Sequence, residues 1–363
     1  MAGLYIHIPF CHSKCIYCDF YSMPQTARLD ALLDALAREY ELRRDEITAP
    51  FTTVYIGGGT PSIVDPAKLA RLCKALPMSD AEEFTIEVNP EDVTAKRIMA
   101  WRDIGINRIS MGIQSFDDNE LHAIRRRHSA ADVMKALDML LEGGINNISC
   151  DLIYGLPGQS LMSWQDSLKR LLDYRLPHIS AYCLSYEPGT ALHARMSAGK
   201  VTPTDDEMLE IMYSNLCRAT ADAGYEHYEI SNFSLPGMRS RHNSSYWTGT
   251  PYLGLGPGAH SYDGKTRRFN PGKLKEYIDS ASITVVDEET EDERFNDLLI
   301  TALRTADGLD FSELTPERAE YLNNAVKPFI ANGQIITNEI GRLRISEAAW
   351  FRSDAILREL IIA

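Results

Sequence analysis

Between Gly3 and about Ser185, short apolar runs alternate with stretches whose apolar positions recur at helical spacing. The pattern predicts strands over Leu4 to Pro9, Thr53 to Ile56, Phe84 to Val88, Arg108 to Gly112, Ile148 to Ile153 and Ile179 to Leu184. Helices are expected over Leu29 to Arg43, where Leu29, Leu32, Leu33, Leu36, Tyr40 and Leu42 mostly share a face, and near 66–75, 93–103, 131–142 and 161–173. Repeated strand-then-helix units imply a parallel sheet with right-handed crossovers. A six-unit partial barrel and an open doubly wound sheet both satisfy the strands. Polar or Gly-rich residues follow nearly every strand, at Cys11, Gly57 to Thr60, Glu87 and Asn89, Gln114 and Asp151. That placement favours an α/β fold built on a partial (β/α)6 TIM-like barrel whose C-terminal rim carries the site.

The core barrel is therefore expected over 1–185. From 186 to 286 the pattern turns irregular, with Gly- and Pro-rich stretches at Pro251 to His260 and Asn270 to Gly272, and reads as an extension packed on the barrel. The acidic run Asp287 to Glu293 marks a boundary. Beyond it, helical patterns at Arg294 to Thr305 and Thr315 to Ala331, a hairpin around Gln334 to Ile345 turning near Gly341, and a last helix Ser353 to Ile361 suggest a small winged-helix-like domain over 287–363. That segment holds 8 Lys+Arg against 16 Asp+Glu, so the electrostatic footprint of a DNA reader is missing and support or interaction is the better expectation.

Composition narrows the classes. With 363 residues, 44% hydrophobic and 24% charged, the chain is neither a disulfide-stapled miniprotein nor a disordered one. Its formal charge of -14 opposes nucleic acid and anionic lipid, and no nucleic-acid partner is expected. No stretch approaches the roughly 18 consecutive apolar residues of a membrane span, and Met1 to Phe10 lacks a cationic region and a long apolar one. A cytoplasmic location is the expectation.

Of seven cysteines, Cys11, Cys15 and Cys18 fall within eight residues, directly after the first expected strand. In a reducing compartment such a group points to metal or redox chemistry, whereas Cys73, Cys150, Cys183 and Cys217 read as small buried hydrophobes. Three thiolates on one tight loop can hold three irons of a four-iron four-sulfur cluster and leave the fourth iron open to an exogenous chelating ligand. A zinc site completed by His12 or a distant histidine, in a zinc-stabilised interaction protein, stands as the alternative. The second Cys-x-x-Cys or paired-histidine element usual for zinc is not present.

Cys-x-x-x-Cys-x-x-Cys with Tyr17 before the last cysteine, at the first strand of a βα repeat, resembles the radical S-adenosylmethionine superfamily. The resemblance implies that the methionine end of S-adenosylmethionine chelates the open iron. Gly57 to Pro61 would then bring backbone close to the methionine moiety, since glycine allows close approach. Glu87 and Asp151 would accept from ribose hydroxyls or the amino group, Gln114 would contact ribose, and Arg126 would clamp the carboxylate through its guanidinium fork. Each has a plainer reading alone: a tight turn, a helix cap or a solvated basic face. Their order along successive strand ends favours the site.

Leu4 to Cys11, Gly57 to Pro61, Gly112 to Phe116 and Asp151 to Pro157 together resemble the oxygen-independent coproporphyrinogen III oxidase-like branch, over nearly the whole chain. Motif by motif, Tyr5, Tyr17, Gly58, Gly59, Thr60, Glu87, Gln114, Arg126 and Asp151 match its S-adenosylmethionine-contacting positions, and Ser185 matches more loosely. The branch's dehydrogenases, which turn two propionates of coproporphyrinogen III into vinyl groups, carry a fourth cysteine two positions on and a longer segment before the cluster. Here Phe20 holds that position and ten residues precede Cys11. Both departures argue against dehydrogenase activity, which stays as the alternative function. They resemble instead the HemW-type haem chaperones, as does His242-Asn243-Ser244-Ser245-Tyr246-Trp247. That resemblance implies haem as cargo, with His242 a candidate iron ligand, Tyr246 and Trp247 flat faces for the macrocycle, and Arg239 or Arg241 partners for propionates. Read without it, His242 and Asn243 cap a turn while Tyr246 and Trp247 are core. The resemblance further implies transfer to apo-haemoproteins, with membrane-associated acceptors and a homodimer left open. Haem transfer makes no covalent product, so an enzymatic reaction is not required.

Overall fold

The computed structural model describes residues 1–78, 81–280 and 283–362. Its barrel runs β1 (Ala2–Ile8), α1 (Leu29–Arg43), β2 (Phe51–Gly58), α2 (Pro66–Lys74), β3 (Glu83–Val88), α3 (Ala95–Ile104), β4 (Arg108–Gln114), α4 (Asp118–Ala123), α5 (Ala130–Glu142), β5 (Asn147–Tyr154), α6 (Leu161–Asp173) and β6 (His178–Cys183). These six strands lie side by side in sequence order and all parallel. The expected elements therefore form where the apolar periodicity placed them. Local chemistry fixes their ends: Asp65 caps α2 ahead of Pro66, Thr94 caps α3, and Ser129 with Asp132 makes a capping box on α5.

Alternation along the strands separates two environments. Leu4, Ile6, Ile8, Val54, Ile56, Ile86, Ile109, Met111, Ile148, Cys150 and Leu152 join the helices in one continuous apolar core. The intervening positions are polar: Tyr5, His7, Thr53, Tyr55, Thr85, Glu87, Arg108, Ser110, Ser149, Asp151, His178 and Ser180. A period-two pattern with both faces covered thus gives a barrel with a greasy exterior layer and a polar interior.

The segment after β6 differs from the irregular extension expected. It continues with α7 (Ala191–Ser197), α8 (Asp206–Asp222), β7 (Glu226–Glu229), β8 (Asn232–Ser234), α9 (Arg241–Trp247), β9 (Tyr252–Leu255), β10 (His260–Tyr262), β11 (Arg267–Phe269), α10 (Leu274–Ser280) and β12 (Val285–Asp287). Its six strands lengthen the barrel sheet at both edges, giving the order β12-β11-β10-β9-β1-β2-β3-β4-β5-β6-β8-β7. Strand β9 pairs parallel with β1, and β8 antiparallel with β6. Strands of three or four residues gain their pairing from backbone groups of an existing edge, so they need no long apolar alternation.

The remainder forms α11 (Glu291–Ala302), α12 (Pro316–Ala325), α13 (Lys327–Ala331), the antiparallel pair β13 (Ile335–Thr337) and β14 (Leu343–Ile345), and α14 (Ser353–Leu360). The hairpin and flanking helices fall where the sequence placed them, except that the pattern over 315–331 resolves into two helices. Leu299, Leu303, Leu322, Ile345, Trp350 and Leu357 join the core that underlies the barrel.

Candidate functional site

Polar side chains on the inner face converge at the C-terminal ends of β1 to β6, around a cavity of about 460 Å3. Cys11, Cys15, Tyr17, Cys18, Gly58, Gly59, Thr60, Glu87, Gln114, Arg126, Asp151 and Ser185 all line it. The loop carrying the cysteines is tied down at both ends. Met23 N–H donates to Pro9 O at 2.7 Å, Cys11 N–H to Met23 O at 3.1 Å, and His7 Nε2 lies 3.0 Å from Tyr21 O. The Gly-rich turn after β2 then docks on it, Gly59 N–H donating to Ile8 O and Thr60 N–H to Phe10 O, each at 2.8 Å.

That docking leaves no room for a side chain. A Cβ on Gly59 would stand 2.6 Å from the Phe10 carbonyl oxygen, a backbone atom that cannot swing aside. Gly59→Ala is expected to cost ~1–3 kcal/mol in urea denaturation and to lower iron retention, because the strain falls on the turn next to Cys11. Wild-type stability and iron content in that variant would refute the tight docking.

Arg126 sits at the centre of the polar set. Its Nη2 donates to Asn89 Oδ1 at 2.7 Å and to Gly112 O at 2.6 Å, while Nη1 points at Cys15 Sγ across 3.6 Å. Its Nε is buried without a partner. Burial raises the thiols of Cys11 and Cys18 above their ordinary range, so bare thiols here stay protonated and iron is what would hold them as thiolates. The three sulfurs of Cys11, Cys15 and Cys18 beside a guanidinium and two carboxyls fit a cluster plus a ligand carrying both an amino group and a carboxylate.

Glu87 is held between two donors, Tyr55 Oη to Oε1 and Gly58 N–H to Oε2, each at 2.9 Å. Burial nevertheless pushes its carboxyl up to about 7, and Asp151, 3.4 Å from Ser110 Oγ, is pushed up by burial to about 6. A carboxyl whose pKa is raised by folding stabilises the fold most below its unfolded pKa and loses that contribution as pH climbs through the folded value. Glu87→Gln is therefore expected to gain on wild type by roughly 2 kcal/mol between pH 5 and pH 7.5 in urea unfolding of the metal-free chain. Parallel pH profiles for the two would contradict the burial argument. Gln114 adds backbone strain, with φ of 66° at the bulge that ends β4.

Tyr5 and His242 sit apart from the cavity lining. Tyr5 does not line the cavity: it lies one layer deeper, donating to His7 Nδ1 at 3.0 Å and packing beside Tyr55. His242 is 0% exposed, with Nδ1 2.9 Å from Thr53 Oγ1 and Nε2 2.9 Å from Tyr246 Oη, and its ring stacks on Tyr55. Burial and the Arg108 charge hold its pKa down to about 3. Both ring nitrogens are engaged, so in this conformation His242 offers nothing to a haem iron. Tyr246 is part of that network and Trp247 half-buried; of the motif, only Asn243 reaches the cavity. The candidate propionate partners are also occupied: Arg239 pairs with Glu226 and Asp307, and Arg241 with Glu82. The residues missed are Tyr55, Ser110 and Ser180, whose inward register on their strands was readable; Asn89, singled out at its strand end, accepts from Arg126.

The model of the radical SAM superfamily matches residues 5–171. The haem chaperone HemW of Bacillus subtilis is 38% identical over 286 residues, 77% of this chain and 76% of that protein. HemW of Mycobacterium tuberculosis is 33% identical over 376 aligned residues, covering 99% of this chain and 94% of the other. Among solved structures, the coproporphyrinogen III oxidase HemN of Escherichia coli, a radical SAM enzyme, superposes with a TM-score of 0.83 at 24% identity, over 99% of this chain and 90% of that one. This last likeness bears on the fold, and it agrees with a partial-barrel sheet.

Proposed function

The chain belongs to the HemW haem-chaperone family of the radical SAM superfamily, and we propose that it binds a four-iron four-sulfur cluster, S-adenosylmethionine and haem, and passes the haem to apo-haemoproteins. The observation that carries the cofactor part is the convergence of Cys11, Cys15 and Cys18 with Arg126, Glu87 and Asp151 on one cavity. When bound, the cluster and S-adenosylmethionine together supply one-electron chemistry at the sulfonium. This chain's residues bind and orient. Arg126 would meet the methionine carboxylate, and the Gly58, Gly59 and Thr60 backbone would hold the methionine. Glu87 would accept from the amino group, Asp151 and Gln114 would take ribose hydroxyls, and Tyr17 and Ser185 would close the sides. Tyr5 acts indirectly, through His7 beneath the Gly58 turn.

Phe20 favours the chaperone over the dehydrogenase. It is 68% exposed on the rim of the cavity, with Lys14 Nζ donating to its carbonyl at 3.0 Å, and presents an apolar ring where a flat macrocycle would arrive. We read the 287–363 segment as a winged-helix-like support. We extend the reading to cytoplasmic haem delivery, including to membrane-associated acceptors, and to a homodimer. No helix among the described residues is long and apolar enough to cross a membrane. The test is an anaerobic haem titration of the cluster-loaded protein, run beside an assay for conversion of coproporphyrinogen III. Saturation near one haem per chain without conversion is expected; S-adenosylmethionine-dependent formation of protoporphyrinogen IX would overturn the reading.

A further inference from the structure

A guanidinium clamps a carboxylate well only if it already waits in the right orientation, because every stem rotation frozen on binding weakens the hold on the ligand. For Arg126 the backbone does part of the placing. Helix α4 ends in a Schellman turn, with Arg126 N–H donating to Leu121 O at 2.8 Å and Arg125 N–H to His122 O at 3.0 Å. The turn brings the Arg126 Cα to the cavity and leaves the long stem to its neighbours.

Gly112 and Asn89 hold the same nitrogen: Nη2 donates to Gly112 O at 2.6 Å and to Asn89 Oδ1 at 2.7 Å. Glycine lets the guanidinium lie against β4, since a Cβ on Gly112 would stand 3.4 Å from Nη2 and 2.8 Å from Gln114 Nε2. Asn89 follows β3 and precedes the single turn Pro90–Asp92, a place where asparagine commonly caps, yet its side chain makes no cap bond. It spans the site instead. Its Nδ2 donates to Thr60 Oγ1 at 3.3 Å, and its backbone N–H to Ser62 Oγ at 3.4 Å. One half-buried amide thus ties the arginine after α4 to the Gly-rich turn after β2, across the tip of β3.

We propose that Asn89 is the positioning residue of the carboxylate clamp: it fixes the Arg126 fork and, through Thr60, keeps that fork in register with the turn that would hold the methionine. The role rests on S-adenosylmethionine being the ligand and Arg126 its carboxylate partner. Asn89 acts through the arginine, so what it contributes to binding disappears once the arginine is gone. An asparagine that merely supported the fold would contribute equally with or without Arg126. Residues that work through one shared contact give losses that do not add, and that separates the two roles.

The test is a double-mutant cycle on the full, cluster-loaded protein, with S-adenosylmethionine affinity read by anaerobic equilibrium dialysis. Asn89→Leu keeps the size and loses the acceptor, and is expected to weaken binding about tenfold. In an Arg126→Gln background the same change should cost less than about threefold. Asn89→Asp keeps an oxygen for Arg126 and should recover most of the loss. Thermal melts and iron content are measured alongside; if Asn89→Leu lowers either, Asn89→Ala, smaller and free of new contacts, takes its place in the cycle. Equal losses in the two backgrounds, wild-type affinity in Asn89→Leu, or binding by Asn89→Asp as weak as by Asn89→Leu would each overturn the assignment. Wild-type affinity in Arg126→Gln alone would instead bring down the clamp, and absence of saturable binding by wild type would bring down the cofactor reading, each taking the role of Asn89 with it.

Discussion

Cys15→Ala is expected to abolish the cluster: iron after anaerobic reconstitution falls from about four per chain to near zero, and the visible absorbance goes with it. Three thiols serve three irons, and none is spare. His12 Nε2 is turned to Asp92 Oδ1 at 3.2 Å, and Asp92 accepts from Ser62 Oγ through its other oxygen at 2.7 Å. The same loss should follow for Cys11→Ala and Cys18→Ala. Cys73→Ala is the internal control: that thiol lies on α2, outside the cavity, and its loss should leave iron content unchanged. Full iron in any of the three loop variants would refute ligation by that cysteine.

Arg126→Gln is expected to weaken S-adenosylmethionine binding by about ten- to a hundredfold in anaerobic equilibrium dialysis. The side chain spans three parts of the site, the Cys15 sulfur, the Asn89 amide oxygen and the Gly112 carbonyl, and still carries a free buried Nε. Hydrogen bonds involving a charged group contribute about 1.5–3 kcal/mol each, and one such bond accounts for the expected loss. Arg126→Lys keeps the charge but not the planar fork, and should recover only part of the affinity. Wild-type affinity in Arg126→Gln would remove the carboxylate clamp from the account.

How far the sequence reaches is clearest from particular elements. Helix α1 begins at Leu29 and ends at Arg43 as its apolar spacing predicts, and all six barrel strands form within two or three residues of expectation, because their periodicity is a local property. Strand β9 was hidden in a stretch that reads as a Gly- and Pro-rich loop. Its pairing with β1 is decided by an edge lying some 250 residues away in the chain, a contact no local pattern encodes. The site divides likewise. Cys11 was legible from the cysteine spacing, and Glu87 and Asp151 from their order along successive strands, each acid alone reading as a helix cap. His242 was not, since residue type says nothing of burial: Glu83 accepts the backbone N–H groups of Arg241 and His242 at 2.9 Å each, docking α9 against β3 and drawing the imidazole inside.

The most direct test of the central claim is transfer. Haem-loaded protein, with its cluster and S-adenosylmethionine, is mixed anaerobically with an apo-haemoprotein, and the Soret band is followed against the same acceptor given free haem. The account predicts that the band moves to the acceptor's holo position, faster or more completely than from free haem, and that loss of the cluster through Cys15→Ala slows it. Haem that stays on the chain, or loading that matches free haem, would contradict it.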